Sequence, residues 1–399
     1  MNLKIVAVFK IDRFLKISLF GCVLLVGCSN GETNSSIIKE DGVVQNPDKG
    51  LWQDQEELPF SIELVETFDL SLIEEPIISS ISYLTFDKDD NMYFLDRRLM
   101  KMISLDPEGN LRWAVGQEGK GPGDFENPFG MAIHNGKIYV ANIQGTRIDE
   151  FGLNGNFIKT YDLPKEVNFA SLVGIRENGQ ILLSGAKFGT IGADIKILQI
   201  SDTLEAVTNF SIVETEDDEF ERATSRGSIS MEEDFFVYSF ATSYGHRFYD
   251  YDSTFTTEVT REFEGTLGPG VYMSGNSISI YSLGSVGAPI FLDNGYYLMN
   301  VRYPTNITDP NEYARKASTG ETESPIYEEV MDLYNSEHEL LYVYENSEKI
   351  EGWGNLDARD SEGYFYSTFS NDLLIKKYKV AVKYQSAGEG AEQDPVSIE

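Results

Sequence analysis

One pattern recurs six times along the chain and restricts the folds available to it: a polar or glycine-containing turn of two residues, then a strand-like run that ends on a small polar residue. The runs are MYFLD (92–96), KIYVAN (137–142), QILLS (180–184), FFVYS (235–239), YYLMN (296–300) and YFYS (364–367). Four of the six turns contain glycine, which adopts the positive φ angles of a tight hairpin at little cost. The first runs end about 40 to 50 residues apart, which is the length of one propeller blade, and later gaps are longer.

Each run is followed by a third strand-like segment and often by a fourth. We therefore predict an all-β fold, a six-bladed β-propeller of four-stranded antiparallel blades over residues 58–384. Because the last unit ends after three strands, we expect the N-terminal segment 59–70 to complete it as an outer strand and close the ring. Later gaps contain insertions, of which 303–340 is the largest, and its helical periodicity predicts one short helix at 327–341. This insertion is either a lid or protein contact or a solvated decoration.

The N-terminus predicts export. Basic residues precede the apolar run 17–27, which is too short to span a bilayer as a helix and is typical of a signal-peptide core. Its ending, LVGC at Cys28, resembles the bacterial lipobox, which implies a signal peptide at 1–27 and a diacylglycerol on Cys28. The alternative is an uncleaved N-terminal anchor. From their polar composition we expect 28–57 to be a flexible tether and 385–399 a disordered tail.

Charge and cysteine content narrow the possible partners. The formal net charge is -33, so nucleic acid and anionic lipid surfaces should be repelled. Membrane contact is then expected only through acyl chains on Cys28, in the outer membrane, facing the periplasm or the cell surface. The other cysteine, Cys22, belongs to the leader, so the mature chain is predicted to have no disulfide.

A glycine-rich stretch, GKGPGDFENP at Gly119–Pro128, could suggest a phosphate-binding loop. That function is not supported, because Lys120 is followed by Gly121 where a Walker A loop requires Ser or Thr. We expect Gly119–Gly123 instead to connect the outer strand of one blade to the inner strand of the next. Phe125 should pack this connection between the blades, together with Pro128.

The same stretch, followed by the Asn135-Gly136 turn and RIDEF at 147–151, resembles the six-bladed β-propeller lipoproteins of Bacteroidetes-type bacteria, which are related to NHL-repeat propellers. The motif covers about residues 112–162, and the other five blades match in strand and turn pattern only. The resemblance implies a six-bladed fold and an envelope location. Some six-bladed relatives, namely gluconolactonase-like hydrolases and amidating lyases, use a metal in the central channel.

The predicted second strands all end on a polar residue, and these ends should form one ring near the channel mouth: Asp96, Asn142, Ser184, Ser239, Asn300 and Ser367. Such residues either start turns by bonding to their own backbone or line a ligand pocket, and both interpretations stay open. In the second, the ring extends to residues two positions farther on, and the arginines could hold a carboxylate or phosphate. The candidate ligand-binding residues are Asp96, Arg98, Asn142, Gln144, Asn300 and Arg302.

No catalytic constellation is visible. The three histidines, His134, His246 and His338, occupy unrelated blade positions, so we predict no metal site and no cofactor. The acidic segment 87–91 begins like an EF-hand loop but has Arg98 where the loop needs a glutamate. We predict a monomeric, lipid-anchored envelope module that binds a small ligand or an envelope protein. The alternative is a gluconolactonase-like or amidating-lyase-like enzyme with a metal at the channel mouth.

Overall fold

The structure is a computed structural model that describes much of the chain between residues 37 and 383. The described ranges are 37–55, 60–142, 146–163, 168–186, 194–201, 203–211, 227–240, 243–274, 277–321, 323–345 and 356–383. The expected leader, Cys28 and the expected tail 385–399 lie outside them.

Most of the described residues belong to six antiparallel sheets of four strands in a propeller arrangement, which confirms the predicted fold class. Blade one consists of Ser82–Phe86, Met92–Asp96, Lys101–Leu105 and Leu111–Val115. Blade two consists of Met131–His134, Lys137–Asn142, Arg147–Gly152 and Phe157–Asp162. Blade three consists of Asn168–Ile175, Gln180–Ala186, Asp194–Ile200 and Leu204–Ser211. Blade four consists of Gly227–Met231, Phe235–Phe240, His246–Asp250 and Phe255–Arg261. Blade five has a first strand in two parts, Ser285–Val286 and Ile290–Phe291, followed by Tyr297–Pro304, Tyr327–Tyr334 and Leu340–Glu345. Blade six consists of Leu356–Arg359, Phe365–Phe369, Leu374–Val382 and Phe60–Asp69.

Further elements lie outside the four-stranded pattern. Ile38–Glu40 and Val43–Asn46 extend the sheet of blade four, and Gly270–Ser274 pairs with Ser277–Tyr281 in a separate hairpin. One α-helix, Pro310–Thr319, and two short 3-10 turns, Leu70–Leu72 and Asp293–Gly295, complete the described elements.

The six predicted second strands are confirmed, since each run lies in the second strand of a blade. The preceding turns have the expected backbone. Asn135 and Gly136 have φ angles of 48° and 70°, the two left-handed residues that a type I′ turn requires. Gly179 and Gly363 are also left-handed, at 82° and 87°. Turn chemistry and strand pattern thus located the same strand in every blade.

The fourth strand of blade six comes from the N-terminal side of the propeller. Phe60–Asp69 pairs antiparallel with Leu374–Val382, so both ends of the propeller share one sheet. Phe60 and Phe68 anchor the strand, because both are buried, one toward blade five and the other toward blade one. Segment 59–70 thus has the expected outer-strand position from residue 60 onward. The dependence of ring closure on this segment remains a prediction.

Residues 37–55, which we call the strap, are not the flexible tether expected for 28–57. Val43–Asn46 runs parallel to the outer strand of blade four and pairs with it. Beyond it, the amide of Leu51 donates to the carbonyl oxygen of Leu340 in blade five, at 3.0 Å. The strap therefore joins two neighbouring blades. Composition misled the prediction, because pairing at an open sheet edge uses backbone groups and needs no apolar pattern.

Blade five also corrects the predicted helix. Segment 327–341 contains the strand Tyr327–Tyr334 and the start of Leu340–Glu345, so the helix prediction there is wrong. Val330 packs toward blade four, whereas Leu333 packs toward blade six. A strand that is buried on both faces lacks polar alternation and cannot be told from a buried helix by periodicity.

The helix lies earlier in the insertion, at Pro310–Thr319. The Asp309 side chain accepts a hydrogen bond from the amide of Asn311 at 3.0 Å, and proline occupies the first helical position. Gly320, with φ at 77°, ends the helix. These start and stop signals were present in the sequence. Among the described residues, no helix is both long and apolar enough to cross a membrane.

The core is distributed between neighbouring blades. Phe125 is fully buried among residues of blades one and two, including Tyr93 and Phe151. Pro128 is buried as well. The connection through Gly119–Gly123 therefore packs between two blades as expected, through its aromatic and proline residues.

Candidate ligand site in the central channel

The first strands of all six blades surround a cavity of about 870 Å³. Each first strand lies at the inner edge of its sheet, and an edge strand presents backbone N–H and C=O groups to the space beside it. Apolar side chains such as Ile133, Val173 and Pro289 also line the cavity. Most of the exposed lining is nevertheless polar, so the cavity is a concave space whose wall can form hydrogen bonds to a small ligand.

Blade five makes this cavity asymmetric. Its first strand is split into Ser285–Val286 and Ile290–Phe291 by a break at 287–289. The amide of Gly287 still donates to the carbonyl oxygen of Asn300 at 2.7 Å, which holds the break against the second strand. Side chains of the second and third strands of this blade also reach the cavity wall. Apart from Phe365 in blade six, the lining residues beyond the first strands and their turns are Asn300, Arg302 and Glu329 of blade five.

Arg302 and Glu329 face each other across neighbouring strands, and Ser285 lies opposite Arg302 on the other side. The Nε atom of Arg302 is 3.5 Å from the Oε1 atom of Glu329, beyond the usual 2.7–3.2 Å of an N–H···O hydrogen bond. The guanidinium lies over the Tyr327 ring, 3.8 Å from its centroid, where cation–π attraction orients it. The side chains of Arg302 and Glu329 are 49% and 36% exposed. The side chains of Arg302 and Glu329 are thus held in position and remain accessible from the cavity.

A second group of charges lines the cavity at the turns between first and second strands. The Nη2 atom of Arg359 is 2.7 Å from Oδ1 of Asp293, so this arginine is already engaged. Burial raises the pKa of Glu232, and the Arg359 guanidinium partly opposes the rise. Since Arg359 has a close carboxylate partner, Arg302 is the better candidate for binding an anion.

The structure brings together two of the six residues predicted to bind ligand. Asn300 and Arg302 both line the cavity. Gln144 lies outside the described residues, and Arg98 is exposed, with its Nη1 atom donating to the carbonyl oxygen of Ser79 at 3.2 Å.

Asp96 is fully buried and engaged in a turn. It accepts hydrogen bonds from the Ser80 hydroxyl at 2.8 Å and from the Leu99 amide at 3.0 Å. Burial raises the pKa of Asp96, but hydrogen bonds from Ser79, Leu99 and Ser80 outweigh that effect and lower it overall. The geometry is that of the turn-starting interpretation.

Asn142 is also fully buried, beside the glycine-rich connection. Its Nδ2 atom donates to the carbonyl oxygen of Asp124 at 2.7 Å and to Oδ2 of Asp149 at 2.6 Å, and its Oδ1 atom accepts from the Glu126 amide. Arg147 completes this cluster through a 2.9 Å ion pair with Asp149. Asn142 therefore holds a joint between blades, and ligand binding by Asp96, Asn142 or Arg98 stays a prediction.

Sequence reasoning missed Glu329 and Ser285. Glu329 lies in the segment that was predicted to be helical, where its alignment with Arg302 cannot be seen. Strand register alone shows the pairing, and the usable signal was the short length of 327–334 together with Val330 and two tyrosines.

A buried polar network lies where blade five packs on blade four. The Nε atom of Arg261 is 2.8 Å from Oδ2 of Asp332, and both side chains are almost fully buried. The Tyr244 hydroxyl donates to the same oxygen and is 2.6 Å from the hydroxyl of Tyr334. Buried charges require this degree of pairing, because an isolated one is strongly destabilising.

Two histidines extend the network. His246 Nε2 is 3.0 Å from the Tyr297 hydroxyl, which is 3.3 Å from Nδ1 of His338. Burial lowers the pKa of His246 to about 3, with a smaller contribution from His338. Burial also lowers the pKa of His338 to about 4, with a contribution from Lys39 in the strap. Both rings are therefore neutral in the folded protein near pH 7. Within the described part of the chain, no group of three or more His, Cys, Asp or Glu residues is arranged to hold a metal ion.

No protein-family model matches this chain, and no curated protein matches it. Solved structures do match. A DUF4221 family member from Bacteroides vulgatus has a TM-score of 0.54 at 12% identity, over 81% of this chain and 99% of its own. A candidate exported protein from Bacteroides fragilis has a TM-score of 0.54 at 11% identity, over 86% and 100%. At such identities the likeness shows the propeller fold alone. A streptogramin B lyase matches at a TM-score of 0.42 and 12% identity, over 81% and 98%, which carries no argument about activity.

Proposed function

We propose that the protein is an exported, envelope-attached binding module that takes a small ligand with an anionic group into its central cavity. The observation that carries the proposal is the position of Arg302. Its guanidinium lines a cavity of about 870 Å³, stacks on Tyr327 and is not hydrogen-bonded to Glu329 at 3.5 Å. A guanidinium binds carboxylate and phosphate through two parallel hydrogen bonds, and a ring that already orients it reduces the entropy lost on binding.

The attachment to the envelope is proposed from the N-terminal sequence. A basic segment, the apolar run 17–27 and the lipobox-like LVGC at Cys28 support export and acylation. The likeness to a candidate exported protein of Bacteroides fragilis is consistent with this location. Mass spectrometry of the mature N-terminus should find a diacylglycerol on Cys28, and an unmodified cysteine would contradict the proposal.

Ligand binding is tested by thermal shift and calorimetry with carboxylates, inorganic phosphate and sugar phosphates. We expect at least one compound to stabilise the wild-type protein, and Arg302→Ala to lose that response. Arg315→Ala is the matched control, because its side chain is exposed on the helix Pro310–Thr319 and is not among the cavity-lining residues. Binding that survives Arg302→Ala, or that is lost equally in Arg315→Ala, would contradict ligand binding by the cavity arginine.

A further inference from the structure

We propose that the ligand of the central cavity is a zwitterion whose ammonium and carboxylate groups lie a few bonds apart, as in an α-amino acid. The inference rests on the proposed function, because it concerns the same cavity and the same arginine. Arg302 would bind the carboxylate, and Glu329 would bind the ammonium group.

The first argument is the long distance between the charged groups of Arg302 and Glu329. Most arginine–carboxylate pairs among the described residues are at hydrogen-bonding distance: Arg147–Asp149 at 2.9 Å, Arg247–Glu258 and Arg261–Asp332 at 2.8 Å, and Arg315–Glu312 and Arg359–Asp293 at 2.7 Å. Arg302–Glu329, at 3.5 Å, is longer, and among these residues it is exceeded only by the Arg176–Glu233 pair at 3.8 Å. Arg176, however, bonds to the Gln180 side chain at 2.6 Å. Arg302 and Glu329 thus retain hydrogen-bonding capacity toward a ligand.

The second argument is charge. A simple anion at Arg302 would lie beside the Glu329 carboxylate, and like charges at short range oppose binding. An ammonium group on the same ligand replaces that repulsion with attraction. A zwitterion therefore satisfies both wall charges, as electrostatic complementarity requires. Ser285, which also lines the cavity, adds a hydroxyl suited to orienting either ligand group.

The third argument is the surface next to the pair. Successive residues of a strand point to opposite faces, so Arg302 shares its face with Leu298, and Glu329 shares its face with Met331. Leu298 and Met331 pack toward blade six. On that side the cavity is lined by Leu356 and Phe365. An apolar side chain attached to the zwitterion can be buried there, which contributes about 25 cal/mol for each Å² removed from water.

The test uses the complete mature protein. Proteinogenic L-amino acids are screened by thermal shift, and the best binder is compared by calorimetry with its deaminated acid and its decarboxylated amine. We expect the amino acid to bind at least about tenfold more tightly than either analogue, or about 1.4 kcal/mol. Glu329→Gln should weaken the amino acid about tenfold and leave the deaminated acid unchanged or tighter.

Glu328→Gln is the matched control. It changes the neighbouring carboxylate, whose side chain points to the opposite strand face and accepts a hydrogen bond from the Tyr303 hydroxyl. This variant should keep the wild-type preference. The zwitterion proposal is overturned if no amino acid binds, if an analogue binds as tightly as its parent, or if Glu329→Gln leaves the preference intact. If in any of these cases a plain carboxylate still binds in an Arg302-dependent way, the proposed function stands and only the zwitterion proposal fails. If neither the amino acids nor the carboxylates and phosphates bind in an Arg302-dependent way, both proposals fail.

Discussion

Blades two and five have the same four-stranded topology but differ in their first strands and in where their charged side chains lie. Blade two has an uninterrupted first strand, a type I′ turn and a buried joint in which Asn142, Arg147 and Asp149 satisfy one another. In blade five the first strand is broken at 287–289, and an insertion carries the helix Pro310–Thr319. The charged side chains of this joint in blade two pair with one another, whereas Arg302 and Glu329 of blade five lie on the cavity wall.

The comparison shows that equivalent positions in the sequence have different surroundings in the structure. The polar ends of the second strands look equivalent in the sequence, yet Asn142 is fully buried and Asn300 lines the cavity. Asn142 lies beyond the first strand of blade two, whose pairing ends at Val140, and it bonds to the glycine-rich connection instead. Asn300 lies opposite the break in the first strand of blade five, between the pairs Val286–Val301 and Ile290–Leu298.

The largest effect is expected from opening the ring in blade six, which contributes no strand to either of the two blades compared. Deleting residues 60–69 removes the strand that covers Leu374–Val382 and exposes the fully buried Ile375. If all blades are parts of one cooperative unit, blades two and five should lose structure together. Circular dichroism melts and hydrogen exchange check this, and an unchanged melting transition would refute ring closure by this strand.

The next test compares the two buried ion pairs. Asp332→Ala leaves Arg261, whose side chain is 5% exposed, without its carboxylate, which should cost about 3–5 kcal/mol. Asp149→Ala should cost less, about 1–3 kcal/mol. Arg147 keeps hydrogen bonds to the carbonyl oxygens of Lys120, Gly121 and Asp124. Urea titrations measure both free energies of unfolding, and the opposite order would contradict this account.

Acid should weaken the blade five contact more than blade two. The pKa values of His246 and His338 are lowered to about 3 and about 4 in the folded protein, against about 6.5 unfolded. Their contribution is full above pH 6.5 and is lost as pH falls toward the folded values, because only the unfolded state takes up protons there. Each histidine contributes up to about 1.4 kcal/mol per pH unit in that range.

Urea midpoints at pH 7.5 and pH 5 measure this loss while most carboxylates stay ionised. His246→Gln should flatten the pH dependence. The control is His134→Gln in blade two, a half-buried ring whose pKa is also lowered by burial, and it should flatten the dependence less. Equal slopes in the wild type and His246→Gln would show that the buried ring does not set the acid sensitivity.

The last comparison concerns backbone geometry. An alanine Cβ at Gly130, with φ at +103°, would lie 2.3 Å from the carbonyl oxygen of Leu172, so Gly130→Ala should cost about 1–3 kcal/mol. At Gly287 in the break the nearest atom is 3.2 Å away, and its φ lies outside the left-handed region. Gly287→Ala should therefore cost under about 1 kcal/mol. Thermal melts should rank the two in this order, and the reverse order would mean that the break is the more constrained site.

Sequence patterns predicted most of the fold and little of the site. Turns such as Asn135-Gly136 encode local φ angles, so every second strand could be found. The strap could not, because its pairing depends on the edge of blade four rather than on its own side chains. Arg302 was a candidate from its position after a strand, but Glu329 required the register between two strands. Register is a long-range property, which local periodicity does not contain.

The strap has a mechanical consequence. If Cys28 is acylated, tension between the membrane and the propeller passes through the strap before it reaches Phe60–Asp69. Val43–Asn46 lies alongside the outer strand of blade four, and Leu51 bonds to blade five, so the load is distributed over two blades. The strand shared by both ends of the propeller is thereby shielded from the pull. An anchored protein can then follow the motion of its membrane while Phe60–Asp69 stays paired with Leu374–Val382.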